Sequence, residues 1–368
     1  MRQFLRTTAT IFVALVFTAG MAFGQTTTTN KATVTQSGDN HEASLEQEKV
    51  GDGAVNEAVV NQSGNGNTVD NFEQIGSGNY LNVDQDGSGN IVRQPAQQGQ
   101  SDKPSYDGII NIKQDGTDNV VWDLDQVGRG NEADIDQVGK NNFVDYEAQD
   151  TGGDPTANFA RVKQDGDGNR VGTRDGNAGL YQTGSGIQGE DNEALINQTG
   201  NDNIVGTKTV EEAGYNPSFF SDLFGSGEQR PGDQSFVQAG DNLLADVDQA
   251  GGDIVDYVLQ TGQSQELYID QTGSGGSEAR AVQAGGKNNF IDIQQSGDAD
   301  AGVFQTGGNL FTNNEVYVDQ SQGVNTATVT QTGNGSGNVA NVTQGTGVNT
   351  ATVTQQSGSN NTATVTQN

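Results

Sequence analysis

Three stretches of the chain spell nearly the same words: Asn325-Thr-Ala327-Thr-Val329-Thr-Gln331, Asn349-Thr-Ala351-Thr-Val353-Thr-Gln355 and Asn361-Thr-Ala363-Thr-Val365-Thr-Gln367, each after a Gly-rich break. Alternation of period two sends Asn325, Ala327, Val329 and Gln331 to one side of an extended chain and the intervening Thr to the other. The pattern predicts strands. Weaker copies run back through the sequence, closing on Gln at 36, 47, 62, 74 and 85, at 114, 126, 137, 149, 164, 182 and 198, and at 238, 249, 260, 271, 283, 295, 305, 320, 331, 344, 355 and 367. Most steps are 11 or 12 residues.

Two positions before the closing Gln the residue is apolar, as at Val34, Leu45, Val60, Phe72 and Val83, and two positions after it Gly is usual, as at Gly38, Gly64, Gly76 and Gly87. Glu147 and Ala281 break the first rule, and Lys49 and Gln322 the second. The unit is strand, Gly turn, strand, and self-similarity at a fixed step marks a repeat architecture. Two arms make one turn. The fold class expected is all-β, a β-solenoid over residues 25–368. The 24 closing Gln residues give about 12 turns, roughly 58 Å tall at ~4.8 Å per strand.

Insertions are expected near 86–111 and 204–235, where the closing Gln is missing. All five prolines (95, 104, 155, 217, 231) fall in breaks or spacers, as they must if stacked strands need every N–H. Only 31% of residues are hydrophobic and the mean hydropathy is −0.65, values that suit a disordered chain. The apolar residues nevertheless fall at one phase of the repeat, which a narrow stacked core requires.

Residues 1–24 differ: Arg2 and Arg6 precede an apolar run over 11–17 and then small residues, the layout of a secretory signal peptide. Cysteine is absent, which excludes disulfides and thiolate chemistry. The formal charge is −31; without Arg2 and Arg6 it is 15 − 48 = −33. Such a polyanion disfavours nucleic acid and anionic membranes and favours cations or basic partners.

Stacked turns bring equivalent residues into columns, and an amide side chain can donate to the copy on one side and accept from the copy on the other. The residues Gln74-Ile-Gly76-Ser-Gly78-Asn79-Tyr-Leu-Asn-Val-Asp-Gln85, Gln126-Val-Gly128-Arg-Gly130-Asn131-Glu-Ala133-Asp-Ile-Asp-Gln137 and Gln344-Gly-Thr-Gly347-Val-Asn349-Thr-Ala351-Thr-Val-Thr-Gln355 closely resemble the curlin repeat. That resemblance implies export by a Gram-negative cell and polymerisation into curli, the amyloid fibres of biofilm matrix. It also implies a nucleating curlin-like subunit and an outer-membrane export pore as partners. Here Asn79, Asn131, Asn325 and Asn349 open arms, where the family opens its first arm with Ser. The expected ladder is Gln74, Asn79, Gln85, Gln126, Asn131, Gln137, Asn325, Gln331, Asn349, Gln355, Asn361 and Gln367.

The first arm, Ala32-Thr-Val34-Thr-Gln36, and the last, Ala363-Thr-Val365-Thr-Gln367, are the same five letters. Matching open edges are templates for head-to-tail addition, so these residues are the expected assembly edges. No cofactor or metal centre is expected, and dispersed carboxylates supply no convergent acid, base or nucleophile for an enzyme. Asp165-Gly-Asp167-Gly-Asn169 opens like a calcium loop, but Arg170 stands where Gly is needed and Gly176 where the bidentate Glu belongs. His41 is the only histidine and is expected at the surface. Asp84, Asp125, Asp136, Asp248, Asp270 and Asp319 are expected to face outward, with Asp248 and Asp270 stacked, repelling by about 1 kcal/mol in water. Such a column is either an assembly switch relieved by acid, salt or divalent cations, or a solvated surface. The alternatives to a fibre are a monomeric adhesin with Phe219, Phe220, Leu223 and Phe224 as its contact patch, and an ice-binding surface built on Thr328 and Thr352.

Overall fold

Most closing Gln residues are followed two positions on by a glycine, and at several of these a side chain would run into the next turn. At Gly64 the backbone has φ +99°, and a Cβ there would lie 1.9 Å from the carbonyl oxygen of Gly87, the equivalent glycine one turn on. The chain therefore reverses direction tightly, and the arms on either side become strands. The computed structural model describes residues 30–50, 53–93, 97–98, 105–145, 148–150, 157–172, 179–183, 192–207, 235–273, 276–307 and 312–368. The expected signal peptide, residues 1–24, and Phe219, Phe220, Leu223 and Phe224 lie outside them.

The fold is an all-β solenoid whose strands pair in parallel, in register, with the strand one turn away. Successive arms alternate between two sheets. In sheet 1, Gln36, Gln62, Gln85, Gln114, Gln137, Gln164, Gln198, Gln249, Gln271, Gln295, Gln320, Gln344 and Gln367 align, which makes thirteen rungs. In sheet 2, Gln47, Gln74, Gln98, Gln126, Gln149, Gln182, Gln238, Gln260, Gln283, Gln305, Gln331 and Gln355 align, which makes twelve. The three near-identical C-terminal stretches therefore do not form one column. Asn325 pairs with Asn349 in sheet 2, whereas Thr362–Gln367 stacks on Val339–Gln344 in sheet 1.

The core lies between the sheets. It is lined by the residue two before each Gln, such as Val60, Val83 and Ile112, and by the residue four before it, such as Ala58, Leu81 and Ile110. At about 0.8 kcal/mol per buried CH₂, many small contributions rather than a few large side chains hold each rung. A second apolar cluster, with Val237, Leu259 and Val282 fully buried, packs at the outward-parity positions of sheet 2.

The solenoid runs through much of the first expected insertion. Tyr80–Ser88, Ile91–Arg93, Gln97–Gln98, Ser105–Tyr106 and Ile109–Thr117 are all rung strands within or bordering 86–111. Gln98 escapes the sequence rule because Ala96 and Gln100 stand where an apolar residue and Gly are usual. In the second, Ile204–Val205 still stacks on Arg170–Val171, and the described chain resumes at Ser235 before Phe236–Asp241. Sheet 2 strands break off in one file: Ile91–Arg93, Val120–Trp122, Phe143–Asp145, Arg170–Val171 and Ile204–Val205 stack in register and end at, or one residue after, Val92, Val121, Val144, Val171 and Val205.

Candidate assembly edges and the amide ladders

The closing Gln points inward because it shares parity with the core residues, and an inward amide must be satisfied by its neighbours. It is. Gln85 donates to Gln114 Oε1 at 2.8 Å, Gln114 to Gln137 at 2.8 Å and Gln137 to Gln164 at 2.9 Å. In sheet 2, Gln47 donates to Gln74 at 2.6 Å, Gln126 to Gln149 at 2.8 Å and Gln331 to Gln355 at 2.7 Å. Every ladder bond between described glutamines runs the same way, Nε2 toward the Oε1 of the following turn.

The second amide hydrogen braces the two sheets. Gln85 donates to Thr68 O at 3.1 Å, Gln137 to Val120 O at 3.1 Å and Gln355 to Val339 O at 3.1 Å, each time the carbonyl just after the corner asparagine (Asn67, Asn119, Asn338) of the preceding arm. Gln74 makes the same bond to Glu57 O at 3.3 Å.

The Asn residues form corner ladders. Asn79 donates to Ser105 O at 3.0 Å and accepts from Gly108 N–H at 3.1 Å; Asn131 donates to Val127 O at 2.8 Å and accepts from Asn158 N–H at 3.0 Å. Asn325 donates to Gly345 O at 3.1 Å and accepts from Asn349 Nδ2 at 3.0 Å, and Asn361 N–H donates to Asn338 Oδ1 at 3.0 Å. The same slot holds Asn56, Asn67, Asn90, Asn119 and Asn142, which the closing-Gln rule did not single out. His41 fills it at the first sheet 2 rung: its Nδ1 accepts from Asn67 N–H at 3.3 Å and its Nε2 faces Ser37 O at 3.1 Å. Asp165-Gly-Asp167-Gly-Asn169 is a corner of this kind, where Asp167 accepts from Lys140 N–H at 2.9 Å. Among the described residues, no group of three His, Cys, Asp or Glu is placed to hold a metal ion.

Among the described residues both ends of the solenoid are open: Lys31–Asp39, which carries Ala32, Val34 and Gln36, pairs only with Glu57–Asn65, and Thr362–Gln367, which carries Ala363, Val365 and Gln367, pairs only with Val339–Gln344. Val34 is 46% exposed, although its equivalents Val60 and Val83 are fully buried. The ladders end with opposite polarity. Gln36 keeps an Oε1 that accepts from no glutamine among the described residues, and Gln367 keeps an Nε2 that donates to none.

The outer surface of sheet 1 carries the acidic columns. Asp248 pairs in register with Asp270, and Asp270 with Gln294. Burial, with Asp248 adding repulsion, holds the Asp270 carboxyl above the usual carboxylate range; burial raises Asp246 too, with Asp248, Glu193 and Asp270 adding to it. Tyr268, Phe290 and Tyr317 stand among these acids with ring centroids 5.7 and 5.3 Å apart. Asp125 does not face solvent as expected: it lies in sheet 2, beside the file of strand breaks, and is 5% exposed.

The model for the curlin associated repeat matches residues 24–48 and 123–145. The first match ends on Gln47-Glu48 in the opening turn, and the second runs through Gln126, Asn131, Gln137 and Asn142 of the ladders just described. No curated protein matches the chain. Two matches to that repeat, on an all-β parallel solenoid of amide ladders, support a curlin-repeat family member.

Proposed function

We propose that the protein is an exported structural subunit that self-assembles head-to-tail into curli-like amyloid fibres at the cell surface, serving adhesion and aggregation in a biofilm matrix. The observation that carries this reading is the polarity of the ladders: one end offers glutamine acceptors, the other glutamine donors, on edges that share the sequence Ala-Thr-Val-Thr-Gln. Joining unlike ends satisfies both, whereas joining like ends sets donor against donor or acceptor against acceptor. Exposed parallel edges of this kind invite strand addition, and heterologous contacts that do not close give filaments. Residues 1–24 direct export, through an outer-membrane pore, and a related nucleating subunit starts the fibre. The surface is scaffolding, without catalysis.

The test uses the chain from residue 25 with and without added fibre seeds, beside a variant lacking residues 361–368. Expected are seeded growth and reflections near ~4.7 and ~10 Å, with slower elongation but an intact monomer fold in the truncated chain. A stable β-rich monomer under all conditions sinks the fibre reading and leaves a monomeric adhesin.

A further inference from the structure

We propose that successive copies join with a half-turn about the solenoid axis, so that sheet 1 of one copy continues as sheet 2 of the next. This rests on the head-to-tail reading and adds the geometry of the joint. The described rungs number thirteen in sheet 1 and twelve in sheet 2, an odd total of arms. Arms in the two sheets are staggered: Gln62 Nε2 bonds both Glu42 O at 2.9 Å and Asn67 O at 3.1 Å, so a sheet 1 glutamine sits between two sheet 2 levels.

Placing Lys31–Asp39 of one copy on Thr362–Gln367 of another, sheet 1 on sheet 1, strands the other sheet. Gly347–Gln356 and the incoming Glu42–Lys49 would then stand two strand spacings apart, about 10 Å, each with an unpaired backbone edge. A half-turn removes the slot. Lys31–Asp39 then lies on Gly347–Gln356, and Glu42–Lys49 lies on Thr362–Gln367, continuing the stagger without a missing strand. The side chains agree in register: Ala32, Thr33, Val34, Thr35 and Gln36 meet Ala351, Thr352, Val353, Thr354 and Gln355.

The bracing bonds make the same choice. Each other ladder glutamine whose side chain is described donates to the carbonyl of the residue just after the corner position of the preceding arm, as Gln47 does to Lys31 O, Gln198 to Arg170 O and Gln367 to Thr350 O. Gln36 has no preceding arm among the described residues, and its amide makes only the ladder bond to Gln62. In the half-turn joint the preceding arm is Thr362–Gln367 of the neighbouring copy, which presents Thr362 O at that place. Gln355 then donates to Gln36, and Gln367 to Gln47. In the sheet 1 on sheet 1 joint, Gln36 finds no brace and Gln355 no acceptor.

The chain has no cysteine, so introduced pairs report the joint alone. Thr35→Cys with Thr354→Cys places two outward thiols one strand spacing apart in the half-turn joint, about 4.8 Å between Cα atoms and within disulfide reach. Thr35→Cys with Thr366→Cys does so only in the alternative joint. Fibres of the first full-length variant, oxidised and then dissolved in denaturant without reductant, should give covalent multimers, and fibres of the second should give monomers. The reverse result, or no linkage in fibres of either, overturns the half-turn and leaves the fibre. Unsubstituted fibres give a second measure: an axial repeat of two copies, roughly 120 Å, against one copy, roughly 62 Å, for the alternative. Failure of the unsubstituted chain to form fibres removes the head-to-tail reading and the joint with it.

Discussion

Gln182 and Gln238 stand 56 residues apart and are hydrogen-bonded at 2.8 Å, as closely as Gln238 and Gln260, which are 22 apart. The ladder takes no account of how much chain lies between its members. What fixes Gln238 is its position in the rung, with its amide also bound to Glu193 O at 2.9 Å and Leu243 O at 3.2 Å.

Replacing Gln238 with Ala leaves the Gln182 amide without its acceptor and Gln260 without its donor, in a site closed to water. Buried polar groups left unmade cost roughly 1–3 kcal/mol each, so a loss of roughly 2–4 kcal/mol is expected for the central rungs. Denaturant unfolding monitored by circular dichroism measures it. Gln367→Ala, at an open edge, should cost much less, and equal losses at the two sites would show that ladder burial is not the cause.

Gly64→Ala and Gly66→Ala separate close approach from backbone conformation. Both glycines have positive φ, +99° and +65°, but a Cβ on Gly66 meets nothing within 4 Å, whereas one on Gly64 meets Gly87 O at 1.9 Å. The expected costs are about 1 kcal/mol at Gly66 and roughly 3 kcal/mol or more at Gly64, where the next turn must move. Comparing the two unfolding midpoints checks this.

Much of this architecture is legible in the sequence because a stacked fold repeats one physical requirement many times. Val60, Gln62 and Gly64 are each dictated by the same position in every turn, so core, ladder and corner announce themselves together. What escapes is whatever departs from the frame. Gln98 pairs in register with Gln74 and Gln126 without the flanking residues that mark the others. His41 serves in an asparagine slot because its Nδ1 can accept the same N–H, an equivalence of atoms rather than of letters. Val237, Leu259 and Val282 form an outer core at positions whose parity points to solvent. Asp125 is buried there for a reason that nothing in its own arm reveals.

The acidic column on sheet 1 should respond to charge removal. In Asp270→Asn the repulsion from Asp248 disappears. At neutral pH and low salt the melting midpoint should rise by roughly a degree or two, a small effect because both groups are exposed. Folding holds the Asp270 proton more tightly than the unfolded chain does. The parent therefore gains stability as pH falls through that titration, and the advantage of the variant should shrink in acid and in high salt. An advantage that persists in 1 M salt would assign the effect to something other than charge.

Asp253 occupies a corner slot where its neighbours carry asparagine. Asn142 uses its Nδ2 there to donate to Val138 O at 3.0 Å and Gly166 O at 2.8 Å, and Asn203 donates to Thr199 O at 2.9 Å. Asp253 accepts Ser277 N–H on Oδ1 at 3.2 Å, but its Oδ2 replaces the donor and makes no hydrogen bond, in a residue fully shielded from solvent. Burial holds the carboxyl above its usual range, outweighing the Ser277 and Ala250 groups that favour the charge. A raised folded pKa means that this group's contribution is fully present below the unfolded carboxylate pKa and is lost as pH rises through the folded one. Asp253→Asn restores the donor without the charge, so at pH 7 the variant should be more stable than the parent by about 1–2 kcal/mol. That gain should vanish in acid, where protonated Asp253 donates in its turn. Hydrogen exchange at Ser277 N–H across this range reads the corner directly, and protection in the parent that stays flat from neutral to acid pH would rule the explanation out.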